Sequence, residues 1–375
     1  YRQGEIFARM GADIPRSTLI DWCGQAVATL RPLTDLIRAE VMRSDRLHAD
    51  DTPIRVLDPG RRAAEGRTRG VKEGRIWVYL RDDRPWGGSD PPAVTYFFSP
   101  DRKGEHPQGH LAGWRGSLQA DGYAGFFALY KGLAATPAEV VEIACWAHVR
   151  RKVFDIWKAD KGPAAKDILD RIGQLYAVED KVRGKPPDQR AAVRMAEAAP
   201  LVADLRTVLD GLLRRFSGKS PLAGAIRYAV TRWTELTRYI EDGRLEIDNN
   251  IAERAMRTIA VGRKNWLFAG SDSGGEAAAA FYTLIETALC RMRHRAVYAE
   301  RRTMPSVASL DDWSGVIVPL GRCSSVLPLG IVSGPQRASR KARSASSGWN
   351  RSAASPSYGL SLANAASFRA RWACR

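Results

Sequence analysis

An α/β architecture, a mixed sheet with helices on its faces, is predicted by three features of the sequence. Extended segments rich in β-branched and aromatic residues follow one another between residues 47 and 100, joined by short Gly- and charge-rich turns. Further strand-like stretches then alternate with amphipathic ones up to about residue 160, and residues 163–242 carry helical signal with no strand pattern inside it.

Residues 1–44 read as helical, with a break at Gly11–Pro15 and a cap at Ser17. A short helix, a turn and a longer helix suit a DNA-reading helix-turn-helix and equally an ordinary bundle, so both readings stay open. LHADDTPIRVLDP, RIWVYLRDD and AVTYFFSP supply three strands of an antiparallel meander. HPQGHLAGW reads as a short helix and SLQADGYAGF as a strand. EVVEIACWAHVRRKVFDIW begins apolar and continues as an amphipathic helix. Helices follow with breaks at Gly184–Pro187 and Gly218–Pro221. Next come a helix capped within Asp248–Asn250 and a last helix whose Phe281, Leu284, Ile285 and Ala288 form a core-facing stripe.

The chain of 375 residues carries 58 Lys and Arg against 41 Asp and Glu, a net charge of +17, which points to polyanionic partners with nucleic acid first among them. Hydrophobic residues at 45% with 26% charged residues exclude wholesale disorder, a collagen-like chain and a multi-span membrane protein. The first residue is Tyr1, with no secretory signal after it, which fits a processed chain or a fragment. Five scattered cysteines, Cys23, Cys145, Cys290, Cys323 and Cys374, form neither a disulfide framework nor a zinc ribbon. After Asp312 there is no acidic residue, and Ser, Ala and Arg accumulate. A poorly packed basic tail over 291–375 is expected, and a shifted reading frame would explain it.

Residues able to hold metal or move protons gather in four places. Asp50 and Asp51 sit on the first strand, where successive side chains face opposite ways, so one of the two is available to a cluster. Asp121 ends a strand before a glycine, as a turn residue also would. Glu253 lies on a helix, one turn apart from Asn249 and Arg257 on a common face, an arrangement that a solvated ion-paired turn also produces. Asp50, Asp121 and Glu253 together suit two divalent ions about 3.5–4 Å apart, one activating water or a 3′-hydroxyl and one stabilising the leaving oxygen of a phosphodiester. Hard oxygen ligands favour Mg2+ or Mn2+. Cys145 and His148 at a strand-to-helix junction are too few for zinc; Cys145 is expected to pack, and His148 to orient a carboxylate or approach DNA. Arg150 and Arg151 follow it, while Arg254, Arg257, Arg263 and Lys264 flank Glu253 with Asn265 and Trp266 beyond. These are candidates for phosphate contact and stacking, Trp266 being equally a core residue.

HADDTP, SPDRKGEHPQGHLAGWRGSLQADGYAGF, CWAHVRRK and DNNIAERAMR followed by GRKNWLFAGS resemble, in order, the catalytic region of the IS66 family of bacterial insertion-sequence transposases, from residue 1 to about 289. The resemblance implies a DDE-type enzyme of ribonuclease H-like fold, with a helical insertion between the second Asp and the Glu, that cuts DNA at element ends and joins the freed 3′-hydroxyls to a target. Carried over singly, the acids are Asp50, Asp121 and Glu253, with Asp51 the competing choice for the first and His148 auxiliary. Implied partners are double-stranded DNA, further copies of the chain and accessory proteins of the same element, in a bacterial cytoplasm beside the nucleoid and with no membrane. The expected organisation is a helical remnant of an N-terminal DNA-binding region (1–44), a catalytic domain in two parts (45–160 and 243–290), an insertion (161–242) and the tail. Only the end of the family's cysteine-rich N-terminal extension is matched. Two other readings stay open: nuclease chemistry without strand joining, and an inactive DNA-binding relic.

Overall fold

In the computed structural model, residues 2–58, 70–131 and 139–301 are described, with side chains as far as residue 292. The tail beyond residue 301, including Cys323 and Cys374, lies outside the described residues.

Five strands form one mixed sheet: β1 (Arg46–Leu57), β2 (Val71–Arg81), β3 (Ala93–Ser99), β4 (Gly116–Gln119) and β5 (Val140–Ile143), in the order β3-β2-β1-β4-β5. The first three make the expected antiparallel meander, with Asp50 opposite Val78 and Tyr79 opposite Thr95. β4 joins β1, and β5 joins β4, in parallel. Gly116 opens β4 where the chain crosses Asp45: a Cβ there would meet the Asp45 carbonyl oxygen at 2.2 Å, so only glycine allows the approach.

Twelve helices accompany the sheet among the described residues. Two precede it, α1 (Arg2–Arg9) and α2 (Arg16–Met42). α3 (Glu105–His110), α4 (Phe127–Tyr130) and α5 (Trp146–Asp160) fall between and after its later strands. The run α6 (Pro163–Val182), α7 (Pro187–Val193), α8 (Ala199–Arg215), α9 (Pro221–Val230) and α10 (Trp233–Thr237) comes next, then α11 (Asn250–Gly262) and α12 (Asp272–Arg301). Proline at the first turn of α6, α7 and α9, where its missing N–H costs nothing, marks the breaks before them, whereas a π-helical turn over Arg194–Ala198 joins α7 to α8 without a break. The mixed sheet flanked by helices, with a helical insertion between Asp121 and Glu253, is the architecture the sequence predicts and is consistent with a ribonuclease H-like fold.

Alternation along β1 and β2 sorts side chains to two cores. Ile54, Val56, Ile76 and Val78 pack with Ala252, Met256 and Ile259 of α11 and with Ala279 and Tyr282 of α12. Leu47, Ala49, Trp77 and Tyr79 face the other way, toward Val41 of α2 and Leu111. A third core joins α5 to α6, α8, α9 and the segment up to Ile247.

Local departures from expectation have identifiable causes. α2 starts at Arg16 with Pro15 before it, so Ser17 lies inside the first turn and does not cap. β4 stops at Gln119, where its partner β5 ends at Ile143, so Asp121 belongs to a loop. On α12 the buried positions are Ala278, Ala279, Ala280, Tyr282, Thr283 and Thr287, while Ala288 is exposed. Small residues let this helix lie against the edge strand β3. The Val94 and Tyr96 N–H groups donate to the hydroxyls of Thr287 (3.1 Å) and Thr283 (2.9 Å), and the Thr287 hydroxyl donates back to the Val94 carbonyl (2.8 Å). Polar pairing with an open strand edge joins the apolar burial of Ala278, Ala279 and Tyr282 in setting the face of α12, and hydrophobicity cannot report the polar part.

Candidate active site

Asp50 projects from β1 on the face covered by α11, whereas Asp51 projects from the opposite face. The Asp50 carboxylate accepts one hydrogen bond, from the Asp51 N–H (2.8 Å), and has no cation at ion-pair distance among the described residues. Burial, with the negative charges of Asp121, Asp51 and Glu253 adding to it, pushes its carboxyl up to about 7. Asp51, with its side chain 2% exposed, is instead saturated by two arginines. Arg75 reaches it at 3.2 Å, and Arg102 at 2.7 Å through Nη2 and at 3.0 Å through Nε.

Asp121 lies two residues past the end of β4. It accepts the Tyr123 N–H at Oδ1 (3.1 Å), a local turn, while Oδ2 stands 4.0 Å from Nη2 of Arg102. Arg102 spreads over the Tyr123 ring, 4.1 Å from its centroid, and the Tyr123 hydroxyl donates to the Arg102 carbonyl. A single arginine thus touches Asp51 and borders Asp121.

Glu253 sits in the first turn of α11. Asn249 precedes that helix, but its side chain does not cap it. Buried, it donates to the Ala49 carbonyl (2.8 Å) and accepts from His48 Nδ1 (3.0 Å), riveting α11 to β1 beside Asp50 and fixing the His48 tautomer. Asp248 takes over at the helix start, accepting the Asn250 N–H (3.0 Å). From α5, His148 and Arg151 lie one turn apart and converge on Glu253. Arg151 Nη2 donates to both carboxylate oxygens at 2.8 Å, and His148 Nε2 is 3.7 Å away. Burial pulls His148 below its ordinary value, against the opposing pull of Asp121 and Glu253, so it stands neutral at pH 7. Cys145 packs beneath: burial pushes its thiol up to about 12, and its sulfur accepts the Asn249 N–H (3.1 Å).

The three carboxylates therefore surround one region, and Asp50 feels both others. Their oxygens do not all come within 4.8 Å of one another. Among the described residues the ligand atoms that do belong to Asp101, Glu105 and His106, which could hold a divalent ion. At that second cluster, however, Lys103 Nζ already stands 3.4 Å from Asp101 and 3.7 Å from Glu105. The predicted trio is held apart by identifiable forces: like charges repel, Arg151 draws Glu253 and Arg102 borders Asp121. As a donor set it fits a divalent cation. It is all oxygen, and one half-buried carboxylate has no positive partner among the described residues.

The basic residues divide. Arg150, Arg254, Arg257 and Lys264 are exposed, Arg150 lying over Phe154. Arg151 is engaged by Glu253, and Arg263 donates to the Pro53 carbonyl of β1 (2.5 Å). Trp266 is 4% exposed within the core between α11 and β1, which corrects the expectation that it sits beside bases. Arg75 and Arg102 are the site residues that sequence reasoning missed. Arg102 stands inside the motif SPDRKGEHPQGH, and Arg75 falls opposite Pro53 in the meander register, so pairing the two hairpin strands would have exposed it.

Comparison with known proteins shows the family. The sequence model described as "Transposase IS66 family" matches residues 1–277. The uncharacterized proteins y4qI and y4hP of Sinorhizobium fredii are 42% and 40% identical over 294 and 304 residues, each match covering 78% of this chain and 53% of the relative. A third protein of that organism, y4jD, is 37% identical, with 77% and 55% covered. The chain thus spans about half the length of the curated relatives it matches. No solved structure matches it significantly. From residue 1 to residue 277 the motifs, the sheet and the family match agree, and the chain belongs to the IS66 family of transposases.

Proposed function

We propose that this chain carries the catalytic centre of a DNA transposase, performing metal-dependent phosphodiester cleavage and strand transfer at insertion-sequence ends. The observation that carries the reading is Asp50: half-buried, without a cation at ion-pair distance among the described residues, on the sheet face that meets α11, and within the field of Asp121 and Glu253. Asp50, Asp121 and Glu253 would hold Mg2+ or Mn2+, two ions in this reading, whose chemistry is to acidify a water or 3′-hydroxyl and neutralise charge on the phosphorus-bound oxygens.

The remaining residues bind and orient. Arg102 and Arg151 present guanidinium groups at the rim, 39% and 54% exposed, where a phosphate can take over one of their contacts. Arg151 orients Glu253, and neutral His148, 3.7 Å from that carboxylate, can accept a proton at Nε2. Arg150, Arg254, Arg257 and Lys264 supply backbone attraction for double-stranded DNA, both element end and target. Coordinated cutting at two ends calls for at least two copies in the active complex, with accessory proteins of the element as further partners. Among the described residues no helix is long and apolar enough to cross a membrane, and a DNA substrate places the reaction in the bacterial cytoplasm beside the nucleoid.

The test is transfer of a pre-cut, labelled 3′-hydroxyl DNA end into a target duplex in Mg2+ or Mn2+, with wild type beside Glu253→Gln. Joined product that disappears in the variant is the expected result. Cleavage without joining would leave a nuclease, and binding unchanged by the variant with neither product would leave a DNA-binding relic.

A further inference from the structure

The geometry points to Arg232 as a positioning residue: from the helical insertion it holds the loop that carries Asp121, through the backbone of Gly122. This rests on the reading of Asp121 as a metal-holding carboxylate and adds a role for the insertion.

Beyond Gln119 the chain has left the sheet. Ala120 N–H still donates to the Ile143 carbonyl at 3.3 Å, but Asp121, Gly122 and Tyr123 have no strand partner. From the front Asp121 is bordered by the half-exposed Arg102, at 4.0 Å. Behind the loop stands Arg232, in the connection between α9 and α10, with its side chain 17% exposed. Its Nη2 donates to the Gly122 carbonyl (3.2 Å), and its Nη1 lies 3.4 Å from Glu142 Oε1 on β5. The guanidinium carbon lies 5.2 Å from the centroids of both the Phe127 and the Tyr228 rings, so packing as well as charge fixes it.

Gly122 records the same contact in the sequence. A Cβ there would stand 2.7 Å from Arg232 Nη2 and 2.8 Å from Cζ and Nε, so the guanidinium fills the space a side chain would need. Tyr228 of α9, which packs on the same guanidinium, also faces the Gly122 backbone, so the insertion meets this peptide through two side chains. Glu142, which burial pushes above the ordinary carboxyl range and Arg232 pulls back, gives the arginine a half-buried counter-charge and keeps it from swinging to solvent. Bidentate reach, ring packing and a half-buried acid suit Arg here, and Lys would supply only the charge.

The discriminating variant is therefore Arg232→Lys in the full chain, which keeps a cation facing Glu142 but lacks the fork that reaches Gly122. Gly122→Ala is its partner, pushing the guanidinium off the loop without altering any charge. The readouts are Mn2+ affinity by electron paramagnetic resonance without DNA, amide hydrogen exchange at Gly122–Tyr123 and at Val140–Ile143, and the thermal midpoint. Each variant is expected to weaken Mn2+ binding roughly ten-fold and to speed exchange at Gly122–Tyr123. Exchange in β5 should stay as in wild type, and the double variant should be no worse than either single one. Unchanged exchange at Gly122–Tyr123 overturns the proposal, and so does a lowered midpoint with Mn2+ affinity intact. If wild type binds no Mn2+, the metal reading of Asp121 fails, and the exchange experiment still decides whether Arg232 holds the loop.

Discussion

On β1, Asp50 turns toward α11 with a single backbone N–H for company, while its neighbour Asp51 turns away into the grip of Arg75 and Arg102. The two should respond oppositely to the same change. Asp51→Asn leaves two guanidinium groups short of a carboxylate and is expected to cost about 1–3 kcal/mol in denaturant unfolding, tempered by the exposure of Arg102. Asp50→Asn removes a charge whose burial is unfavourable. Because the folded carboxyl stands near 7, above its ordinary 3.8, metal-free wild type loses stability as pH rises between those values. The variant should therefore gain on wild type across that window, level off above it, and lose Mn2+ binding throughout. His110 works with the opposite sign. Stacked on Phe97 at 4.3 Å and pulled down by burial, then by His106 and Arg38, it stands at about 3 rather than 6.5. Stability tied to it is present above 6.5 and drains as pH falls toward 3, so His110→Gln should flatten that acid limb in pH-dependent unfolding. Alternation along a strand says that Asp50 and Asp51 part company. Which of them faces Glu253 depends on the side that α11 covers, a fact some 200 residues away in the chain.

Elements are legible where their signals are local. Strand alternation, the short turns of the meander and the prolines that open α6, α7 and α9 all act within a few residues, and the structure has these features in those places. The cap of α11 falls within Asp248–Asn250 as expected, with Asp248 as its acceptor, because Asn249 spends its amide on β1. The buried face failed where a distant partner outbids the local signal: α12 turns threonines rather than Leu284 and Ile285 to the core. That makes α12 testable as an edge cover. Thr283→Val and Thr287→Val keep shape and remove the hydroxyls that serve the N–H groups of Tyr96 and Val94. Each is expected to cost about 1–3 kcal/mol by chemical denaturation, more than the gain from an added methyl. Retention of full stability in both variants would mean that water reaches the edge of β3.

For the molecule as a whole, a net charge of +17 coexists with an acidic pocket, and the sign of each region decides what it meets. Exposed Arg254, Arg257 and Lys264 are free to meet a duplex, whereas Arg263 is spent on β1. Replacing those three by Gln is expected to lower the slope of log affinity against log salt by roughly 2–3 for non-specific duplex DNA, without moving the thermal midpoint. Arg263→Gln should do the reverse.

The apolar face of the β1–β3 meander is closed by Ala252, Met256, Ile259 and Tyr282, which the ribosome adds long after Ser99. At about 5–20 residues per second that face waits on the order of ten seconds or more for its cover. During that interval it is a sticky surface, because α2 covers only the other face of the sheet. Under the proposed function the same order of synthesis is a safeguard. Glu253 arrives with the helix that closes the core, so a nascent chain that has not finished folding would hold two of the three proposed acids and could not yet assemble the proposed centre.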